Sequence, residues 1–155
     1  MIYLKSVELK DKEMFWNINQ KYLYEMTMYY KQDMDENGNL HYGYFDEYFI
    51  DPKRSAYFIM LDDKIIGFVM IHPYSMMNLN IDYSIAEFTI FPSYRKNGYA
   101  KEAVNLIFDQ FKGKWEIKFN NKNIGAMKLW NSVTNKFSPN IIRLNENEII
   151  LEFEN

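Results

Sequence analysis

Ile85-Ala86-Glu87-Phe88-Thr89-Ile90-Phe91-Pro92-Ser93-Tyr94-Arg95-Lys96-Asn97-Gly98-Tyr99-Ala100 is the stretch from which the rest of the chain is read. It opens as a β-strand. Pro92, with no N–H to donate, stops the ladder. A polar loop follows, and from Gly98 the apolar period changes. Tyr99, Ala103, Val104, Ile107, Phe108 and Phe111 recur at helical spacing, and Gly113 is read as the residue just past the helix end. A strand, a glycine-bearing loop and a helix in succession aim free backbone N–H groups and the positive end of a helix dipole at one spot. Such a spot binds phosphate. Gly98 allows close approach, Ala100 is too small to obstruct it, and Arg95 and Lys96 add positive charge. Neither the dinucleotide nor the P-loop glycine spacing is met.

Composition excludes several classes. At 155 residues the chain is sized for a single domain, residues 1–155, and its 48% apolar content supplies a core. The charged fraction of 25% argues against disorder. There is no cysteine, so thiolate metal sites and disulfides are excluded, which fits a cytoplasmic protein. His41 and His72 are the two histidines and have no metal-ligand spacing, so no metal centre is expected. A net charge of −3 argues against a nucleic-acid partner. The longest apolar run, Ile65 to Ile71, is strand-sized, so no membrane span is expected. The first residues lack the layout of a signal peptide.

A second pattern lies downstream. Trp115 to Phe119 reads as a strand, and Asn123 to Trp130 as the following helix with Asn123 as its N-cap. Arg95-x-x-Gly98-x-Ala100 resembles the pyrophosphate loop of the general-control-related N-acetyltransferases, the GNAT family. Asn123, Ala126 and the aromatic Trp130 resemble that family's second signature. Two patterns in the right order, with one helix and one strand between them, are far more specific than either alone. The resemblance is clear over roughly residues 55 to 137.

The remaining elements agree with an α/β (α+β) fold of that kind. Ile2 to Val7 reads as a first strand, and Asp11 caps a helix whose apolar stripe is Phe15, Ile18, Tyr22, Met26 and Tyr29. Tyr22 and Met26 are read as core. Asp33 to Asn39 is an acidic loop, either solvated or a rim that attracts a cationic amine, and Tyr42 to Phe49 a short second helix. Ala56 to Leu61 and Ile65 to Ile71 form a hairpin ended by Pro73. Ile81 to Ile90 is the central strand. Ile141 to Leu144 and Glu148 to Phe153 form a last hairpin. This order gives a mixed, mostly antiparallel sheet of about seven strands with helices on both faces.

The resemblance implies the chemistry. The family transfers acetyl from acetyl-CoA to an amine, usually by direct attack, and no metal takes part. Its phosphate cradle maps to Arg95, Lys96, Asn97, Gly98, Tyr99 and Ala100. The pantetheine contact maps to backbone around Phe88 and Ile90, where the family's central strand pair splays apart. Asn123 and Ala126 map beside the CoA arm, and Trp130 beside the sulfur. The segment carrying Tyr29 and Tyr30 borders the acceptor pocket. The family most often has tyrosine at the Trp130 position, and an indole N–H is no general acid. The Gly-Phe pair common after this helix is also replaced, by Asn135-Lys136-Phe137. For the base that takes the ammonium proton, Glu87 comes first, then Glu116, then Asp82, or a water chain. A one-residue slip would turn Glu87 to the other face of the sheet. The expected partners are acetyl-CoA and a primary amine of a small molecule or peptide, in a monomer or homodimer. The alternative is a CoA-binding module without transferase activity.

Overall fold

The computed structural model describes residues 1–155. The elements in order are β1 (Ile2–Ser6), α1 (Lys12–Met26), β2 (Ser55–Leu61), β3 (Lys64–Tyr74), β4 (Asn80–Ile90), α2 (Tyr99–Gln110), β5 (Lys114–Asn120), α3 (Ile124–Thr134), β6 (Asn140–Arg143) and β7 (Glu148–Glu154). They build one seven-stranded sheet in the order β1-β2-β3-β4-β5-β7-β6. Only the β4–β5 pair is parallel. The parallel pair needs a crossover, and α2 supplies it.

Strand alternation sends neighbouring side chains to opposite faces. On one face Met70, Phe68, Phe58 and Met60 pack with Phe15 of α1. On the other, Val69, Ile71, Ile85 and Ile117 pack with Val104, Ile107 and Phe108 of α2 and with Trp130 and Val133 of α3. Phe15 touches Phe58 and Phe68 edge-on, with centroids 5.7 and 5.2 Å apart.

Four details depart from the sequence reading. The deepest line of α1 is Phe15, Asn19 and Leu23, one position round from the expected stripe. The strap of chain from Lys31 to Phe45 is tied to α1, and it buries Leu40 to 1% exposure. The Gln20 amide holds Leu40 at both ends, Nε2 donating to its carbonyl and Oε1 accepting from its N–H, each at 2.7 Å. Where a helix was expected over Tyr42 to Phe49, only a 3₁₀ turn at Asp46–Phe49 forms. β3 continues through Pro73 to Tyr74. β2 pairs only as far as Ile71, and the β3–β4 register shifts between His72 and Tyr74, so the missing N–H falls where no regular bond is needed. Finally, α2 ends at Gln110 with Phe111 in extended backbone, not with a glycine cap.

Candidate functional site

β4 and β5 pair only where Tyr83, Ser84 and Ile85 meet Trp115, Glu116 and Ile117. Beyond that point Ala86 to Ile90 and Lys118 to Asn120 run on without pairing each other. A cavity of about 920 Å³ occupies the gap. Glu87, Phe88, Thr89, Lys118 and Asn120 line it from the sheet, and Met26, Tyr29 and Tyr30 from α1 and its end.

The direction of Glu87 is set by one residue. Ile71 pairs with Ile85 and Met70 with Glu87, which leaves Ala86 as an extra residue, a β-bulge. Ile85 faces the α2–α3 core. Without the bulge Glu87 would face it too. The extra residue turns Glu87 to the α1 side and returns Phe88 to the Trp130 side.

On the α1 side Glu87 meets two phenols. The Tyr22 hydroxyl donates to Oε1 and the Tyr42 hydroxyl to Oε2, both at 3.1 Å. Burial pushes the Glu87 carboxyl up to about 7, against the two hydroxyl bonds and the charge of Lys118, which favour the carboxylate. The same surroundings, and Glu87 itself, hold both phenols above the ordinary tyrosine range. A carboxyl that half-ionises near neutral pH and borders a cavity is suited to accept a proton there.

The loop after β4 forms the other end. Lys96 and Gly98 take left-handed backbone, φ 64° and 80°. Glycine suits that conformation, and the space where a side chain would stand at Gly98 is open. The first bond of α2 runs from the Glu102 N–H to the Gly98 carbonyl. The N–H groups of Lys96 through Lys101 have no acceptor in the protein. Such a concave row at a helix N-terminus holds an anion. Lys96, Lys101 and Lys128 line the cavity as well.

Arg95 and Asn97 do something different. The Arg95 guanidinium forks onto Glu25 of α1, at 2.6 and 2.7 Å, and its Nε donates to the Ile90 carbonyl at 2.7 Å. It braces the end of β4 against α1. The Asn97 amide donates to the Tyr94 and Arg95 carbonyls at 3.2 and 3.1 Å and shapes the loop.

Asn123 caps α3 as expected, its side-chain oxygen accepting from the Ala126 N–H at 3.1 Å. Trp130 is 5% exposed and meets Phe88 edge-on at 5.3 Å. The two rings line the cavity together, Trp130 from α3 and Phe88 from β4.

The structure separates the other acids from this centre. Glu116 is 1% exposed, and its carboxylate takes the Ser75 hydroxyl at 2.5 Å and the Met76 N–H at 2.7 Å. Asp82 accepts from the Lys114 N–H at 2.8 Å, packed where Gly113 has no side chain. Both fasten loops. Tyr30 does border the cavity, donating to Glu148 at 3.1 Å, and Lys118 pairs with the same carboxylate at 3.0 Å. Tyr22, Tyr42 and Lys118 were not among the expected site residues. Tyr22 lies on the stripe read as core, and Tyr42 was read as the start of a short helix that does not form there.

The comparisons with known proteins agree with this architecture. No curated protein matches the chain significantly in sequence. Among solved structures, an aminoglycoside acetyltransferase in complex with coenzyme A superimposes with a TM-score of 0.71 at 10% identity, covering 99% of this chain and 95% of the other. A domain from Methanocaldococcus jannaschii gives 0.68 at 17% identity, covering 100% and 99%. Arabidopsis thaliana NAA60 in complex with acetyl-CoA gives 0.62 at 13% identity, covering 99% and 97%. These likenesses establish a shared fold. The sequence model of the acetyltransferase (GNAT) family matches residues 13–133. That match takes in most of the chain, including both halves of the splayed strand pair, the loop at Gly98 and the helix of Trp130, and on it the protein belongs to the GNAT acetyltransferase family.

Proposed function

We propose that the protein transfers an acetyl group from acetyl-CoA to a primary amine of a small molecule or peptide. One observation carries the reading. A single cavity joins a row of unpartnered N–H groups, Lys96 to Lys101, to a half-ionised carboxyl, Glu87, through a gap in the sheet. The first end suits a pyrophosphate and the second an amine.

In this reading the CoA phosphates take the loop from Arg95 to Ala100, mainly through backbone. The arm follows the unpaired edge of β4 at Phe88 and Ile90 and passes Asn123 and Ala126. Unpaired backbone N–H groups along that edge polarise the thioester carbonyl. Glu87 takes a proton from the ammonium. The nitrogen lone pair then forms the C–N bond, the tetrahedral intermediate breaks its C–S bond, and CoA leaves as the thiolate. The N-protonated amide left behind gives up its extra N–H proton to water and becomes the neutral amide. A thiolate, with a parent pKa near ~8.5, departs without an acid. Trp130 therefore acts as a wall that shapes the thioester channel.

The first test is thermal. Acetyl-CoA should raise the melting temperature and dephosphorylated pantetheine should do so far less. Equal shifts from both ligands, or none from either, would remove the assignment. Gly98→Glu should abolish the acetyl-CoA effect, since it sets a carboxylate on left-handed backbone at the open face of the loop. One observation favours a second reading, a CoA-binding module without transfer: the wall residue Trp130 has no ionisable proton. Release of free CoA on incubation with amines separates the two.

A further inference from the structure

The cavity is rich in cations and poor in free anions. Its only lining carboxylates are Glu25 and Glu87. Glu25 is held by both terminal nitrogens of Arg95. Glu148 beyond Tyr30 is occupied by Lys118, Tyr30 and the Asn145 amide. The acidic loop does not line the cavity at all. Asp35 folds back to accept from the Asn37 and Asn39 N–H groups at 2.8 and 2.9 Å. Asp51 receives the Tyr74 hydroxyl at 2.6 Å and lies 3.4 Å from Arg54. Glu87 is thus the one carboxylate of the cavity with no cation at ion-pair distance.

The cavity wall made by the end of α1 and the residues just after it is of a different kind. Met26, Tyr29 and Tyr30 line it, with the Tyr22 ring beside them, and Phe88 and Trp130 close the other side. Aromatic faces and a thioether match an apolar body, and tyrosine faces also attract a neighbouring ammonium. A second ammonium in the same space would be desolvated with no counter-ion, near Lys118.

We infer that the acceptor is a small monoamine: its single ammonium goes to Glu87, and its apolar or aromatic body lies against Met26, Tyr29 and Tyr30. Polyamines and other polycations are selected against by the same accounting of charge. The inference rests on the transferase reading and narrows its acceptor class.

The test compares 2-phenylethylamine with spermidine at saturating acetyl-CoA, following CoA release. The expected kcat/KM is at least about ten-fold higher for 2-phenylethylamine, a difference of about 1.4 kcal/mol. Met26→Glu, which sets a second carboxylate in the cavity wall, should move the ratio toward spermidine. Equal or better turnover of spermidine by the natural protein overturns the inference and leaves the transferase reading standing. A ratio that Met26→Glu leaves unmoved also overturns it. Binding of acetyl-CoA by thermal shift with no CoA release from either amine overturns the inference, and only the absence of release from a wider panel that includes peptides removes the transferase reading as well.

Discussion

Replacing Tyr42 by phenylalanine deletes one hydroxyl and tests how Glu87 is tuned. In the natural protein each carboxylate oxygen accepts one phenol, and Tyr42 supplies Oε2 at 3.1 Å. Tyr22 faces the carboxyl from α1, Tyr30 from the segment just after it, Tyr48 from the 3₁₀ turn, and Lys118 from β5. Burial raises the carboxyl, and the Tyr42 and Tyr22 hydroxyls and Lys118 pull it back, with a resulting value of about 7. A hydrogen bond to a charged group contributes about 1.5–3 kcal/mol, and one pH unit corresponds to about 1.4 kcal/mol. Tyr42→Phe should therefore raise the Glu87 midpoint by roughly one to two pH units. At pH 7 the ionised fraction would fall from about one half to about one tenth or less. The assay is ¹³C NMR of protein labelled at the glutamate carboxyls, with the Glu87 signal identified by its loss in Glu87→Gln. The ring of Tyr42 is kept, so the fold should be kept, and the melting temperature checks this. A Glu87 midpoint that stays put or moves down in folded Tyr42→Phe would refute the reasoning.

Three further outcomes are expected. Because the folded-state value of Glu87 is raised, its contribution to stability is full below the unfolded carboxyl range near ~4.5 and is lost as pH rises to about 7. Up to about 3 kcal/mol is involved, and Glu87→Gln should flatten that part of the stability curve, measured by urea unfolding at pH 4 and pH 8; an unchanged slope would remove Glu87 as its source. Trp130→Phe should keep most transferase activity and Trp130→Ala should lose far more, with a stability cost of about 3–5 kcal/mol. Trp130→Tyr should gain little in kcat, and a large gain without tighter acetyl-CoA binding would show that a missing acid limits the enzyme. Arg95→Ala should lower stability by roughly 1 kcal/mol, given the partial exposure of its pair with Glu25, yet retain most of the acetyl-CoA melting shift. A lost shift with unchanged stability would assign the Arg95 side chain to the phosphates instead.

The elements that carry local signals were legible in the sequence. The change of period at Gly98, the cap at Asn123 and the final hairpin each depend on residues a few positions apart, and each stands where it was read. The succession of strands and helices along the chain followed from them. What escaped was long-range. The direction of Glu87 depends on whether β4 carries an extra residue opposite Met70 and Ile71, a property of the pairing that alternation alone does not contain. Tyr22 and Tyr42 reach Glu87 across 65 and 45 residues of sequence, and nothing local in either marks it as a partner. Arg95 was read as a phosphate ligand from its charge and its place in the motif. Its acceptors, Glu25 and Ile90, became apparent only when α1 and the end of β4 came together. Glu116 and Asp82 were candidates for the same reason in reverse: an acid in a strand looks available until the loop it fastens is seen.

The Gln20 clamp on Leu40 divides the strap into halves of unequal freedom. Downstream of the clamp, Tyr42 is two residues from a buried anchor and keeps its reach to Glu87. Upstream, the turn from Asp35 to Asn39 closes on its own backbone and tip hydrogen bonds. A tip of that kind is a natural graft point. Residues inserted at Gly38 would lengthen an exposed turn at a small entropic cost, about 0.6 kcal/mol per doubling of loop length, while the clamp insulates the tyrosine. The rim of the molecule can thus be redesigned by loop exchange without retuning the proton acceptor beneath it.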